Sequence, residues 1–137
     1  MRNDDDNVIL KLTFAFSLKI IEFTELLETK KKYNVANQLF RCGTSIGANV
    51  KEAQNAESKP DFIHKMKIAA KEGDEAEYWL LLCKQSVNYP DTDKLLEDLL
   101  VINKVLRRLL HQVKTNIKIG IEFVFINELS NSRIIKL

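Results

Sequence analysis

Six polar residues in the middle of the chain have the types and spacing to do chemistry. Arg41, Ser45, Asn49 and Glu52 follow one another at steps of four, four and three residues, and Glu72 and Glu75 stand three apart. On helices such steps align each set on one face. A carboxylate metal centre in a helical bundle takes a Glu from two helices and a Glu-x-x-His from each of two others. The sequence contains no Glu-x-x-His; Asp61-x-x-His64 comes nearest, and His64 lies roughly two helical turns from Glu72. The ligand set is unmet, so neither a metal nor a cofactor is expected. Carboxylates and amides beside an apolar stripe cost several kcal/mol if unpaired. Arg41, Ser45, Asn49, Glu52, Glu72 and Glu75 are therefore expected to form a polar network that fixes helix register or a subunit contact.

Nucleophilic chemistry has less support. Ser17, Thr44 and Ser45 have no histidine near them in sequence, Cys42 has no base, and His64 and His111 are the only histidines. No catalytic residue is assigned, and the chain is read as a non-enzyme. Gly43-Thr44-Ser45-Ile46-Gly47 has two glycines but sits inside a helical pattern, without the preceding strand that a phosphate-binding loop needs. Lys104, Arg107, Arg108, Lys114 and Lys118 form a different group: residues 99–118 hold five bases and no acid. Bases near a helix C-terminus complement its dipole and are often simply solvated. The sharper reading is a surface that contacts the phosphates of RNA or DNA.

Four periodic stretches must position these residues. In the first, Val8, Leu12, Ala15, Phe16, Ile20, Phe23, Leu26 and Leu27 recur at helical steps, with Asp6 or Asn7 as cap. The second, residues 33–56, places Ala36, Leu39, Phe40, Gly43, Ile46, Gly47, Val50 and Ala53 on one stripe. Its glycines cost about 1 kcal/mol each against alanine and predict a close crossing of another helix there. Ser58-Lys59-Pro60-Asp61 reads as the start of a third helix, running to about residue 87 and burying Phe62, Met66, Ala69, Ala70, Gly73, Ala76, Trp79, Leu80 and Cys83. Asp91 is expected to cap a fourth, with Leu95, Leu96, Leu99, Leu100, Ile102, Val105, Leu106, Leu109, Leu110 and Val113 facing inward. Short links make neighbours antiparallel, giving an all-α, up-down-up-down four-helix bundle over residues 1–118. Residues 119–137 are an apolar C-terminal extension without a clean period, expected to dock on the bundle or on a second subunit as irregular chain, helix or strand.

At 137 residues, with 45% apolar and 29% charged content, the chain is long enough for one core without staples and excludes disordered and collagenous classes. A formal net charge of +2 forces no nucleic-acid or membrane partner by itself. Lys104, Arg107 and Arg108 interrupt the best candidate for a spanning helix, and the start Met-Arg-Asn-Asp-Asp-Asp lacks the features of a secretory signal. The expectation is a cytoplasmic protein with no membrane partner, its Cys42 and Cys83 buried and reduced.

The run from Arg41 to Ala53, then Ser58 and Asp61-Phe62, then Lys71-Glu72-Gly73-Asp74-Glu75 and Tyr78-Trp79-Leu80, resembles the bacterial four-helix bundle family named for proteins encoded in 23S rRNA intervening sequences. The likeness covers about residues 8–117. It implies a left-handed bundle assembled as a homopentamer and implies no enzyme activity. A related branch, the accessory proteins of diversity-generating retroelements, binds nucleic acid and a reverse transcriptase through a basic surface. The residues past 118 exceed the usual family end and inherit no role. The expected function is that of an oligomeric, non-enzymatic scaffold with RNA or DNA as candidate partner; the alternative is a protein-binding adaptor that uses its apolar tail or oligomer surface.

Overall fold

The computed structural model describes residues 4–135, and the side chains of residues 8–116. Four helices account for nearly all of it: α1 (Asp4–Thr29), α2 (Tyr33–Ala53), α3 (Lys59–Gln85) and α4 (Asp93–Ile135). Each packs on its sequence neighbour, and α1 closes the ring against α4. Paired positions run in opposite directions along adjacent helices. Ile20 meets Gly43 and Thr13 meets Gly47 between α1 and α2; Arg41 meets Glu72 and Glu52 meets Lys65 between α2 and α3; Lys84 meets Asp93 between α3 and α4. The result is the expected antiparallel four-helix bundle.

Local chemistry explains the helix ends. Lys31 sits in the left-handed region at φ 62, with Lys32 N–H donating to the Leu27 carbonyl at 2.9 Å and Lys31 N–H to the Glu28 carbonyl at 2.9 Å. These two bonds close α1 by the Schellman arrangement, in a position that usually holds glycine. The Ser58 hydroxyl accepts the Asp61 N–H at 3.2 Å, and the Asp61 carboxylate accepts the Glu57 N–H at 3.2 Å, so α3 starts where Pro60 can occupy its first turn. α4 departs from expectation: it opens at Asp93, and Asp91 accepts the Asp93 N–H at 3.0 Å from outside the helix. Thr92 takes the cap position, its carbonyl accepting the Leu96 N–H at 2.9 Å.

The core contains Phe16, Ile20 and Leu27 of α1, Leu39, Ile46 and Val50 of α2, Met66 and Leu80 of α3, and Leu99, Ile102 and Leu106 of α4. Burying each such side chain contributes about 1.5–3 kcal/mol. The buried face of α1 is displaced from the expected stripe: Val8, Ala15 and Leu26 are exposed, whereas Ile9, Thr13 and Thr24 are buried. The threonines tolerate burial because Thr13 Oγ1 donates to the Ile9 carbonyl at 2.7 Å and Thr24 Oγ1 to the Ile21 carbonyl at 3.1 Å. Phe40 and Leu100 are also exposed rather than inside. Asn103 is buried instead, its amide lying over Gly73.

The α1–α4 seam is held by Lys19 and Asp98 at 2.6 Å, beside a gap of about 130 Å³ lined by Leu12, Phe16 and Ile102 among others. Burial pushes the Asp98 carboxyl up, but hydrogen bonds from Lys19 and Lys94 outweigh it and hold the group below its ordinary value. At 43 residues α4 is about 64 Å long, against about 39 Å for the 26-residue α1. It passes residue 118 without a break, so the stretch whose form periodicity left open is helical to Ile135. Gly120 costs only about 1 kcal/mol there, and no proline interrupts the segment.

Candidate functional site

The α2–α3 surface gathers three of the six polar residues. The Arg41 Nη1 group donates to the Glu72 carboxylate at 3.3 Å, and its Nη2 group donates to Glu75. The Arg41 guanidinium holds the Glu75 carboxyl below the usual carboxylate range, against the opposing push of partial burial. The other three bond elsewhere. Ser45 Oγ donates to the Arg41 carbonyl at 2.5 Å and Asn49 Nδ2 to the Ser45 carbonyl at 2.8 Å, both along α2. Glu52 accepts from Lys65 Nζ at 2.9 Å, a partner for which the sequence offers no special signal. Next to the cluster the Tyr78 and Trp79 rings meet edge to face at 5.9 Å, with Tyr78 exposed.

Among the described residues no nucleophile stands beside a base in this cluster. The Ser17 hydroxyl donates to the Thr13 carbonyl at 2.9 Å and the Thr44 hydroxyl to the Phe40 carbonyl at 2.6 Å, each within its own helix. His64 and His111 are exposed. Burial pushes the Cys42 thiol up to about 12 and the Cys83 thiol up to about 11, far from a reactive thiolate. Among the described residues no group of three or more His, Cys, Asp and Glu side chains could hold a metal ion.

The basic group lies on α4. Lys104, Arg107, Arg108 and Lys114 are all exposed, as is His111 among them. Their steps of three, one, three and three residues keep them on the side of α4 opposite Leu99, Ile102 and Leu106. Lys118 lies outside the residues whose side chains are described.

A third feature was not read from the sequence: a groove of about 460 Å³ between α1 and α2. Small residues make it. A Cβ on Gly47 would stand 3.3 Å from both the Thr13 side chain and its carbonyl, so glycine permits the close approach of the two helices. Ser17 and Ala48 leave the outer rim shallow, and Phe14, 67% exposed, forms one wall. Helical spacing at Gly43 and Gly47 was the signal available for the crossing; none marked the concavity beside it.

The fold and these surfaces define an antiparallel helical bundle with a polar α2–α3 cluster and a basic outer α4 face. The model of the family described as 23S rRNA-intervening sequence protein matches residues 5–111, and the chain belongs to that family. It is similar to the crystal structure of a protein of unknown function from the S23 ribosomal protein family of Bacteroides thetaiotaomicron. The two share 35% identity over 78% of this chain and 98% of that one, with a TM-score of 0.74. No curated protein matches the chain. Among the described residues no helix is long and apolar enough to cross a membrane.

Proposed function

We propose that this chain is a non-enzymatic, oligomeric four-helix scaffold of the cytoplasm, pentameric by resemblance to its family, that binds RNA or DNA along the outer face of α4. The observation that carries this reading is the stretch from Leu99 to Asn116, which presents Lys104, Arg107, Arg108 and Lys114 on one exposed side and contains no acid. Such a face neutralises phosphates without reading bases, and a cyclic assembly repeats it around a ring. The polar cluster of Arg41, Glu72 and Glu75 then acts in helix register or subunit contact rather than in catalysis.

The test is fluorescence anisotropy of labelled RNA and DNA at two salt concentrations. Binding that weakens steeply with salt and is abolished by reversing charge at Arg107 and Arg108 supports the reading. Binding unchanged in that variant removes these residues from it. The second reading, a protein-binding adaptor, is favoured by exposed Phe14, Leu18 and Phe40, apolar side chains that a phosphate backbone would not use.

A further inference from the structure

The α1–α2 groove and the far end of α4 lie at the same end of the bundle. Groove residues Leu10, Phe14 and Lys51 belong to the first half of α1 and the last turns of α2. The Lys19–Asp98 pair fixes the register of α4 against α1, and the approach of Asn103 to Gly73 fixes it against α3. Counting along each helix from these positions sets Asp4 level with about residue 113 of α4 and Lys59 level with about residue 117. The helix from 119 to 135 therefore runs past the ends of both its neighbours.

That stretch contains Ile119, Ile121, Phe123, Val124, Phe125, Ile126, Leu129, Ile134 and Ile135, too many apolar residues for one helical stripe. A helix of this kind is stable in water only when covered. Its own bundle offers no neighbour of sufficient length. The segment also lies beyond the portion matched by the family model, so it is an addition to the shared bundle.

We propose that residues 119–135 of one copy dock in the α1–α2 groove of a second copy. The inference rests on the oligomeric reading above and adds to it a contact that the shared bundle does not contain. Three features favour this occupant. The groove is apolar and continues along α1 to exposed Leu18, about 12 Å from Leu10, which matches two turns of a docked helix. Lys11 and Lys51 line it, while the extension from 119 to 135 carries Glu122 and Glu128 against one base, Arg133 near its end. Groove and extension are different surfaces at the same end of the bundle, so two copies set end to end can exchange the contact reciprocally.

The experiment is light-scattering mass on a sizing column for the full chain, for Phe14→Glu, for Phe125→Glu, and for an equal mixture of the two variants, each checked for helicity by circular dichroism. Ala48→Arg, on the exposed groove rim, replaces Phe14→Glu if that variant loses helicity. The expected result is an oligomeric full chain heavier than either variant alone, with mass regained in the mixture, where an intact groove meets an intact extension. An oligomer whose mass survives either substitution overturns this contact and leaves the oligomeric reading standing. Variants that fall apart but do not pair on mixing overturn it as well. A monomeric full chain overturns both.

Discussion

The Asn103 amide occupies the space that a side chain on Gly73 would need: its Oδ1 atom lies within contact distance of an ideal Gly73 Cβ. The amide is buried, and neither its oxygen nor its nitrogen has a hydrogen-bond partner among the described residues. Gly73→Ala is expected to displace it and cost about 1–3 kcal/mol. Chemical denaturation in urea measures this. The same substitution made in an Asn103→Ala background should cost clearly less, and equal costs in both backgrounds would separate the two residues.

Arg41 makes stability depend on acid. Its hydrogen bond holds the Glu75 carboxyl below the ordinary value, so the contribution is complete above the unfolded value near pH 4.3 and disappears as pH falls through the folded one. The side chains are half and about one-third exposed, so solvent screening keeps the gain to no more than about 1 kcal/mol. Arg41→Met should lower the melting temperature at pH 7 and flatten its dependence between about pH 3 and 5. An acid limb identical to that of the parent would contradict the pairing.

The two cysteines should be silent to thiol reagents in the folded chain. Cys42 is fully buried and Cys83 nearly so, with thiols pushed up to about 12 and about 11. Mass spectrometry after iodoacetamide treatment at pH 8 is expected to find no adduct in native protein and two in guanidinium. Rapid native labelling at Cys42 would mean that the α2 interior opens.

Lys31 holds a backbone conformation that a residue with a Cβ adopts at a cost. Lys31→Gly retains the Schellman bonds and should raise stability by about 0.5–1 kcal/mol, after the greater chain entropy of glycine is counted. Thermal melting provides the check. A lower melting temperature would show that the lysine side chain contributes more than its backbone strain costs.

Much of the bundle was legible in the sequence. Ser58, Pro60 and Asp61 marked the start of α3, and the spacing of Gly43 and Gly47 marked the side on which α1 crosses. The misplacements share a cause, since a pattern built only from apolar residues treats a polar side chain as exterior. Thr13 and Thr24 hide their hydroxyls in bonds to their own helix, and Asn103 fills a space left by a glycine on another helix. Among the site residues, the joining of Arg41 to Glu72 and Glu75 accords with their spacing, but the partnership of Glu52 with Lys65 depends on the turn between α2 and α3. The groove beside Gly47 depends on which small residues fall at one rim, a property of two helices together.

The α1–α4 seam also bears on how the chain reaches this shape. Every other helix contact joins elements linked by three to seven residues, so helical hairpins can form locally and early. Lys19 and Asp98 must instead meet across 79 residues, and the entropy of closing that loop falls on a seam where a gap lies beside their ion pair. Assembly is therefore expected to end with the docking of α1 on α4, and the same pair of helices to part first when the native state fluctuates, as faster amide exchange along that seam would register.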